Sequence, residues 1–247
     1  MHMTGNTMLI TGGGSGIGRE LAQRFHDLGN VVIVAGRTRS TLEETIAGRA
    51  NMHALTFDAS DLASIEALAA EAVARFPVLN ILVNNAGLMQ REDLSIRGDT
   101  EIAEATLITN VLGPIRLTNA LVDHLSAQAN AVVVNTTSGL AFVPLKGAPS
   151  YSASKAALHS WTVSLRAQLA DKVEVIELAP PAVRTELTPG QSTREGYMPL
   201  DDFAAEVMSL FGEVPTPAEI LVKNVLFLRN AEREGRFDEA VGIVGAL

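Results

Sequence analysis

Two residues four positions apart carry the most chemistry in this sequence: Tyr151 and Lys155, in the run Tyr-Ser-Ala-Ser-Lys. On a helix, positions i and i+4 share a face, so this spacing predicts a phenol beside an ammonium. A free phenol titrates near pH ~10 and is a poor acid–base group at neutral pH. A neighbouring cation favours the phenolate and pulls that value down. A drop of roughly three units corresponds to about 4 kcal/mol of differential stabilisation. Tyr151 is one of two tyrosines, the other being Tyr197. Upstream stand Ser138, thirteen residues before Tyr151, Asn110, and the run Asn84-Asn85-Ala86-Gly87.

A second constellation lies near the N-terminus, in Thr11-Gly12-Gly13-Gly14-Ser15-Gly16-Ile17-Gly18. Neither Gly-x-Gly-x-x-Gly nor the Walker A loop fits, since Arg19-Glu20 follows Gly18. Gly-x-x-x-Gly-x-Gly fits at Gly12, Gly16 and Gly18. Missing side chains let backbone N–H groups and a helix N-terminus approach a pyrophosphate. The next strand ends in Gly36-Arg37-Thr38-Arg39, with no acid between Gly29 and Leu42. An acidic side chain there would suit the ribose hydroxyls of NAD, whereas Arg37 suits a 2′-phosphate. The expected cofactor is therefore NADP(H), with NAD(H) as the alternative.

In this order, Thr-Gly-x-x-x-Gly-x-Gly, Asn-Asn-Ala-Gly, the serine and Tyr-x-x-x-Lys resemble the motifs of the short-chain dehydrogenase/reductase family across residues 7–187. Ser138–Pro144 and Leu178-Ala179-Pro180-Pro181 are similar to its DltE-like oxidoreductase branch. The resemblance implies hydride transfer between the dinucleotide and a carbonyl or secondary alcohol, with Tyr151 as acid–base. It further implies that Lys155 also binds the nicotinamide ribose, that Ser138 polarises the substrate oxygen, and that Asn110 holds a water feeding protons to Lys155. It places Thr11, Gly12, Gly14, Ser15, Gly16, Ile17 and Gly18 on the cofactor. Asp58 would meet the adenine or else cap a helix. Asn84, Ala86 and Gly87 would touch the cofactor or hold the sheet. Where many members have Pro-Gly, this chain has Pro180-Pro181. Pro181 lacks an N–H, so contacts to the carboxamide would fall to Val183 and the Thr185 hydroxyl. The C-terminal run Val241–Leu247 lacks the acidic-Gly-Gly ending of tetrameric relatives. A homodimer built from helices at about 101–127 and 152–170 is the expected assembly, with a tetramer less favoured. The alternative from another class is a dinucleotide-binding sensor without turnover.

The elements that must position these residues alternate. Val/Ile/Leu-rich runs at Thr7–Thr11, Val31–Ala35, Met52–Phe57, Ile81–Val83, Ala131–Asn135 and Val173–Leu178 read as buried strands. Helical stretches lie between them at Gly16–Leu28, Leu42–Arg49, Asp61–Phe76, Glu101–Ala127 and Ser152–Leu169. The alternation predicts an α/β Rossmann fold, a doubly wound parallel sheet with helices on both faces, as one domain over residues 1–247. Five prolines in 180–215 predict an irregular excursion carrying a short helix, a substrate lid. A helix is expected at about 216–233, and the tail is ambiguous. Leu88, Met89, Leu140, Phe142, Val143 and Leu187 suggest a hydrophobic substrate pocket.

Composition narrows the partners. Nineteen Lys and Arg against 28 Asp and Glu leave a net charge of −9, which argues against nucleic acid and anionic membrane surfaces. The chain has no cysteine, so disulfides, thiolate metal sites and thiol catalysis are excluded. No apolar run reaches the ~18 residues of a membrane span. A cytoplasmic enzyme on a small molecule is the expectation. The five histidines show no metal-ligand spacing, and His159, one turn past Lys155, reads as a helix or interface histidine.

Overall fold

Seven strands lie side by side in the order β3-β2-β1-β4-β5-β6-β7, every neighbouring pair parallel. The computed structural model describes residues 1–98 and 100–245. The strands are β1 (Thr7–Thr11), β2 (Val31–Gly36), β3 (Met52–Thr56), β4 (Ile81–Asn84), β5 (Val132–Thr136), β6 (Glu174–Leu178) and β7 (Glu219–Ile220). Successive side chains on a strand point to opposite faces, and here both faces are covered. Met8, Ile10, Val32, Val34, Ile81 and Val83 pack on one side with residues of α1 (Gly16–Asp27), α2 (Arg39–Ile46) and α7 (Leu200–Phe211). Leu9, Ile33, Leu82 and Val133 pack on the other with α3 (Leu62–Arg75) and α5 (Gly113–Ser126). This is the predicted Rossmann architecture. The chain reverses direction across the sheet between β1 and β4, and ligands of open α/β sheets bind at the carboxyl ends beside such a reversal.

Two expected elements differ. The long helix at 101–127 is broken: α4 (Glu101–Leu107) passes through a π-helical turn at Ile108–Leu112 before α5 begins. The widened turn brings Asn110 to full burial. The helix expected at about 216–233 is instead β7, a 3-10 turn at Lys223–Val225, and the short α8 (Leu226–Arg229). Pro215 and Pro217 break a helix start, and Glu219 and Ile220 find partners in Glu177 and Leu178 of β6. The excursion at 180–215 carries the short helix expected of it after an irregular first part. Its second part is α7, whose Phe203, Val207 and Phe211 are buried against the sheet.

The ambiguous tail forms α9 (Phe237–Gly245), which returns Ala240 and Val244 to a small core beside Tyr151. Ala246 and Leu247, the end of the run compared with tetrameric relatives, lie outside the described residues. Among the described residues no helix is long and apolar enough to cross a membrane.

Candidate active site

The glycine loop joins β1 to α1 under tight packing. Gly12 has φ +67°, a left-handed conformation, and a Cβ there would come within 2.9 Å of the Asn85 amide. At Gly18 a Cβ would run into the Gly12 carbonyl, so α1 can close on β1 only without a side chain. Arg19 then fastens the loop, its guanidinium donating to the Gly14 carbonyl at 2.5 Å and pairing with Glu44 at 3.2 Å. Nothing in the local sequence singled out Arg19.

The N-terminus of α1 carries neither a side-chain cap nor an acidic residue in its first turn. Its unsatisfied N–H groups and positive dipole end are thus uncompensated. They border a cleft of about 190 Å³ lined by Gly12, Gly14, Ser15, Arg37, Asp58, Ala86, Gly87 and Thr109. Arg39 is taken by Glu43 at 2.7 Å, whereas among the described residues no hydrogen bond or salt bridge engages Arg37. Asp58 accepts from the Ser60 amide and hydroxyl at 2.8 and 2.7 Å, and these bonds, with Arg37 nearby, hold its carboxyl below the ordinary range. The helix cap considered for Asp58 is made instead by Asp61, which accepts from Ala63 N at 3.1 Å. A phosphate-bearing dinucleotide fits this donor set.

Thr11 and Asn84 are engaged in architecture. Thr11 Oγ1 donates to the Val83 carbonyl and accepts from the amides of Asn85 and Ala86, stitching the ends of β1 and β4 together. Asn84 donates to Asn135 at 2.9 Å and Thr118 at 3.0 Å, and Asn135 donates on to Thr162 at 3.0 Å. This buried ladder ties β4, β5, α5 and α6 (Pro149–Leu169) together. Neither Thr11 nor Asn84 lines the cleft.

The proton-handling residues meet where β5 and α6 converge. Ser138 follows β5 and faces the Tyr151 hydroxyl across the same cavity, near enough to lower its pKa. Its own oxygen also accepts from Leu140 N at 3.1 Å. Tyr151 and Lys155 lie on one face of α6, both buried. Burial pushes the Tyr151 phenol up to about 12, against the smaller lowering by Ser138. The lowering expected from the neighbouring ammonium does not appear; desolvation sets the direction. Burial also brings Lys155 down to about 8.

Asn110 spends its side chain on the loop after β4. Its Oδ1 accepts from Leu88 N and its Nδ2 donates to Leu88 O, both at 2.9 Å, with a further bond to Ser154 at 3.1 Å. Ser154 in turn donates to the Tyr151 carbonyl at 2.7 Å. Glu92, which sequence reasoning missed, holds the start of α6 by accepting from Ser150 N at 3.0 Å and Ser150 Oγ at 2.7 Å. Fifty-eight residues separate the two, so no local pattern could reveal the contact.

Ser138 and Tyr151 open onto an apolar cavity of about 100 Å³, lined also by Met89, Leu140, Leu145, Leu187, Tyr197, Leu228 and Val244. Of the expected pocket residues, Met89, Leu140 and Leu187 are here. Leu88 belongs to the cleft, Val143 is buried in the core, and Phe142 stacks edge-on against His159 at 5.0 Å. Leu228 and Val244 come from the segment whose folding was misread or left open. Thr185 lies over Gly16, and Val183 is buried with its carbonyl held by Gln191 at 2.9 Å. Gln191 thus ties the segment after β6 back onto itself.

The family model for short chain dehydrogenases matches residues 6–196. The uncharacterized oxidoreductase DltE of Bacillus subtilis (strain 168) is 41% identical over 243 residues, covering 94% of this chain and 94% of its own. A short-chain dehydrogenase from Streptomyces avermitilis has TM-score 0.83 at 25% identity, covering 98% of this chain and 97% of its own. The 3-ketoacyl-(acyl-carrier-protein) reductase from Brucella melitensis, solved in complex with NADH, has TM-score 0.77 at 27% identity, covering 88% and 96%.

Proposed function

The chain belongs to the short-chain dehydrogenase family of oxidoreductases, and from that premise we propose that it interconverts a carbonyl and a secondary alcohol with NADP(H). The observation that carries this reading is the meeting of Ser138 and Tyr151 at the wall of one apolar cavity, with Lys155 buried on the same helix face as Tyr151. A carbonyl oxygen placed between the two hydroxyls would be polarised by Ser138 and protonated by Tyr151. The bound dinucleotide supplies the hydride in reduction and accepts it in oxidation. Lys155, donating to the Thr136 carbonyl at 2.8 Å, keeps a positive charge beside the phenol that steadies it as it gives up its proton. The apolar walls exclude water and favour a largely hydrophobic substrate.

Arg37, exposed and unengaged among the described residues, supports NADP(H) over NAD(H). A homodimer through α6 is part of the same reading. Ala153 and Ala157 are exposed and Trp161 is half-buried, whereas Leu165 and Leu169 of the same spacing turn into the core. A carbonyl panel with NADPH tests the function. Oxidation of NADPH on at least one carbonyl is expected. Tight NADPH binding with no turnover on any carbonyl would favour the sensor reading instead.

A further inference from the structure

Glu177 is fully buried on β6, an unusual place for a carboxylate, since removing its hydration costs several kcal/mol unless partners replace it. Its register partner on β7 is a second carboxylate, Glu219. Two basic side chains answer them. His159 Nδ1 lies 2.7 and 3.0 Å from the Glu177 oxygens, and Arg229 grips Glu219 with two bonds of 3.0 Å. The Phe142 ring packs against both, edge-on to His159 and 4.8 Å beneath the Arg229 guanidinium. Oxygens of Glu177 and Glu219 and a nitrogen of His159 lie within 4.8 Å of one another, a spacing that could attract a metal ion. Here the protein's own side chains already supply the positive charge.

What the cluster holds is the catalytic machinery. Thr137, the residue before Ser138, donates its hydroxyl to Glu177 Oε1 at 2.6 Å. Backbone bonds from Thr137 N to Leu178 O and from Gly139 N to Pro180 O, both 2.8 Å, fix Ser138 from either side to the same strand and its extension. His159 sits one helical turn beyond Lys155 on α6. Glu177 therefore joins the turn that carries Ser138 to the helix that carries Tyr151 and Lys155. A hydrophobic residue at position 177 would fill the space but could bond neither Thr137 nor His159.

We infer that Glu177 and His159 are positioning residues that keep Ser138 in register with Tyr151, and that loss of the proton on His159 loosens this register. The inference rests on the reading of Ser138 as the group that holds the substrate oxygen. Glu177, chiefly by its hydrogen bond, raises the His159 pKa above its ordinary value. Burial opposes the rise, Glu219 adds to it and Arg229 opposes it. These three charged groups are the ones that face the imidazole. The interaction is complete below about pH 6.5 and is lost as pH rises through the elevated value.

Steady-state kinetics with NADPH and a carbonyl that the wild type reduces, run from about pH 5 to 8, test this on the dinucleotide-supplemented protein. Thr137→Val and Glu177→Gln should each lower kcat about tenfold, the scale of one charge-assisted hydrogen bond, with NADPH binding measured by fluorescence unchanged. Wild-type kcat should fall as pH rises through the His159 titration, whereas His159→Gln should lack that fall and keep only the loss toward pH 8 that deprotonation of Lys155 brings to both proteins. If Glu177→Gln does not fold, Thr137→Val, which removes one hydroxyl and keeps the shape, carries the decision. Wild-type kcat in Thr137→Val, or a pH profile that His159→Gln leaves intact, overturns the inference. A wild type that reduces no carbonyl overturns the functional reading and this inference with it, so the two failures are told apart.

Discussion

Lys155 Nζ stands 5.6 Å from the centroid of the Tyr151 ring and donates its hydrogen bond to the Thr136 carbonyl at 2.8 Å. The ammonium lies over the ring, in a position set by the end of β5. Both groups are desolvated together, and burial moves their pKa values in opposite directions. Tyr151 rises to about 12 while Lys155 drops to about 8.

The acid should be indispensable while the cofactor site is not. Tyr151→Phe keeps the ring and removes the transferable proton, so turnover should drop at least ~10²-fold. NADPH binding, followed by fluorescence, should persist. Near-wild-type turnover on an established substrate would remove Tyr151 from its role.

Cofactor choice should depend on one side chain. Arg37→Ala should raise the Kd for NADPH by about thirtyfold, or roughly 2 kcal/mol, the scale of a charge-assisted contact to phosphate. The Kd for NADH should change little. Arg39→Ala should leave both alone, because Arg39 is paired with Glu43. Equal affinity of the unmutated protein for the two dinucleotides would contradict this assignment.

Stability of the cofactor-free protein should carry the signature of the buried pair. Between about pH 8 and 10.4 the unfolded chain holds a proton on Lys155 that the native protein has shed, so this contribution rises with pH. Between about pH 10 and 12 the native protein keeps the Tyr151 proton that the unfolded chain loses, so that contribution falls as pH rises. Urea unfolding at pH values spanning the first window should show wild type gaining on Lys155→Met. Parallel curves for the two proteins would exclude a depressed Lys155.

Assembly should place the outward face of α6 against a second copy. Light scattering at micromolar concentration should give about twice the 26.2 kDa chain mass. Trp161→Glu, which puts a charge on that face, should shift the protein toward monomer and reduce turnover together. A fully active wild-type monomer would rule out both the dimer and its link to activity.

The sequence by itself determined the parts whose information is local. Continuous apolar runs announce strands buried on both faces, and β1, β2, β4, β5 and β6 lie where those runs lie. The glycines between Gly12 and Gly18 announce a backbone-lined loop because their need for space is a property of single residues. Tyr151 and Lys155 share a face because helical geometry fixes i and i+4, whatever surrounds them. Ser138 was legible only through its spacing to that pair.

Contacts between distant segments were decided by the tertiary structure alone. Arg19 on Gly14 and Glu44, Glu92 on Ser150, and Asn110 on Leu88 each join residues whose separation in sequence carries no period. Thr11, expected on the cofactor, and Asn84, expected either there or in the sheet, both bond into the sheet, because buried donors and acceptors must find partners. The segment expected as a helix at 216–233 became β7 because an open sheet edge at β6 offered Glu219 and Ile220 backbone partners that local propensity cannot register. The direction of the Tyr151 pKa was decided the same way. A lysine four residues away is visible in the sequence, but the desolvation that raises the phenol comes with Val143, Leu145, Ala148, Ala240 and Val244, which only folding gathers into one cluster with Tyr151.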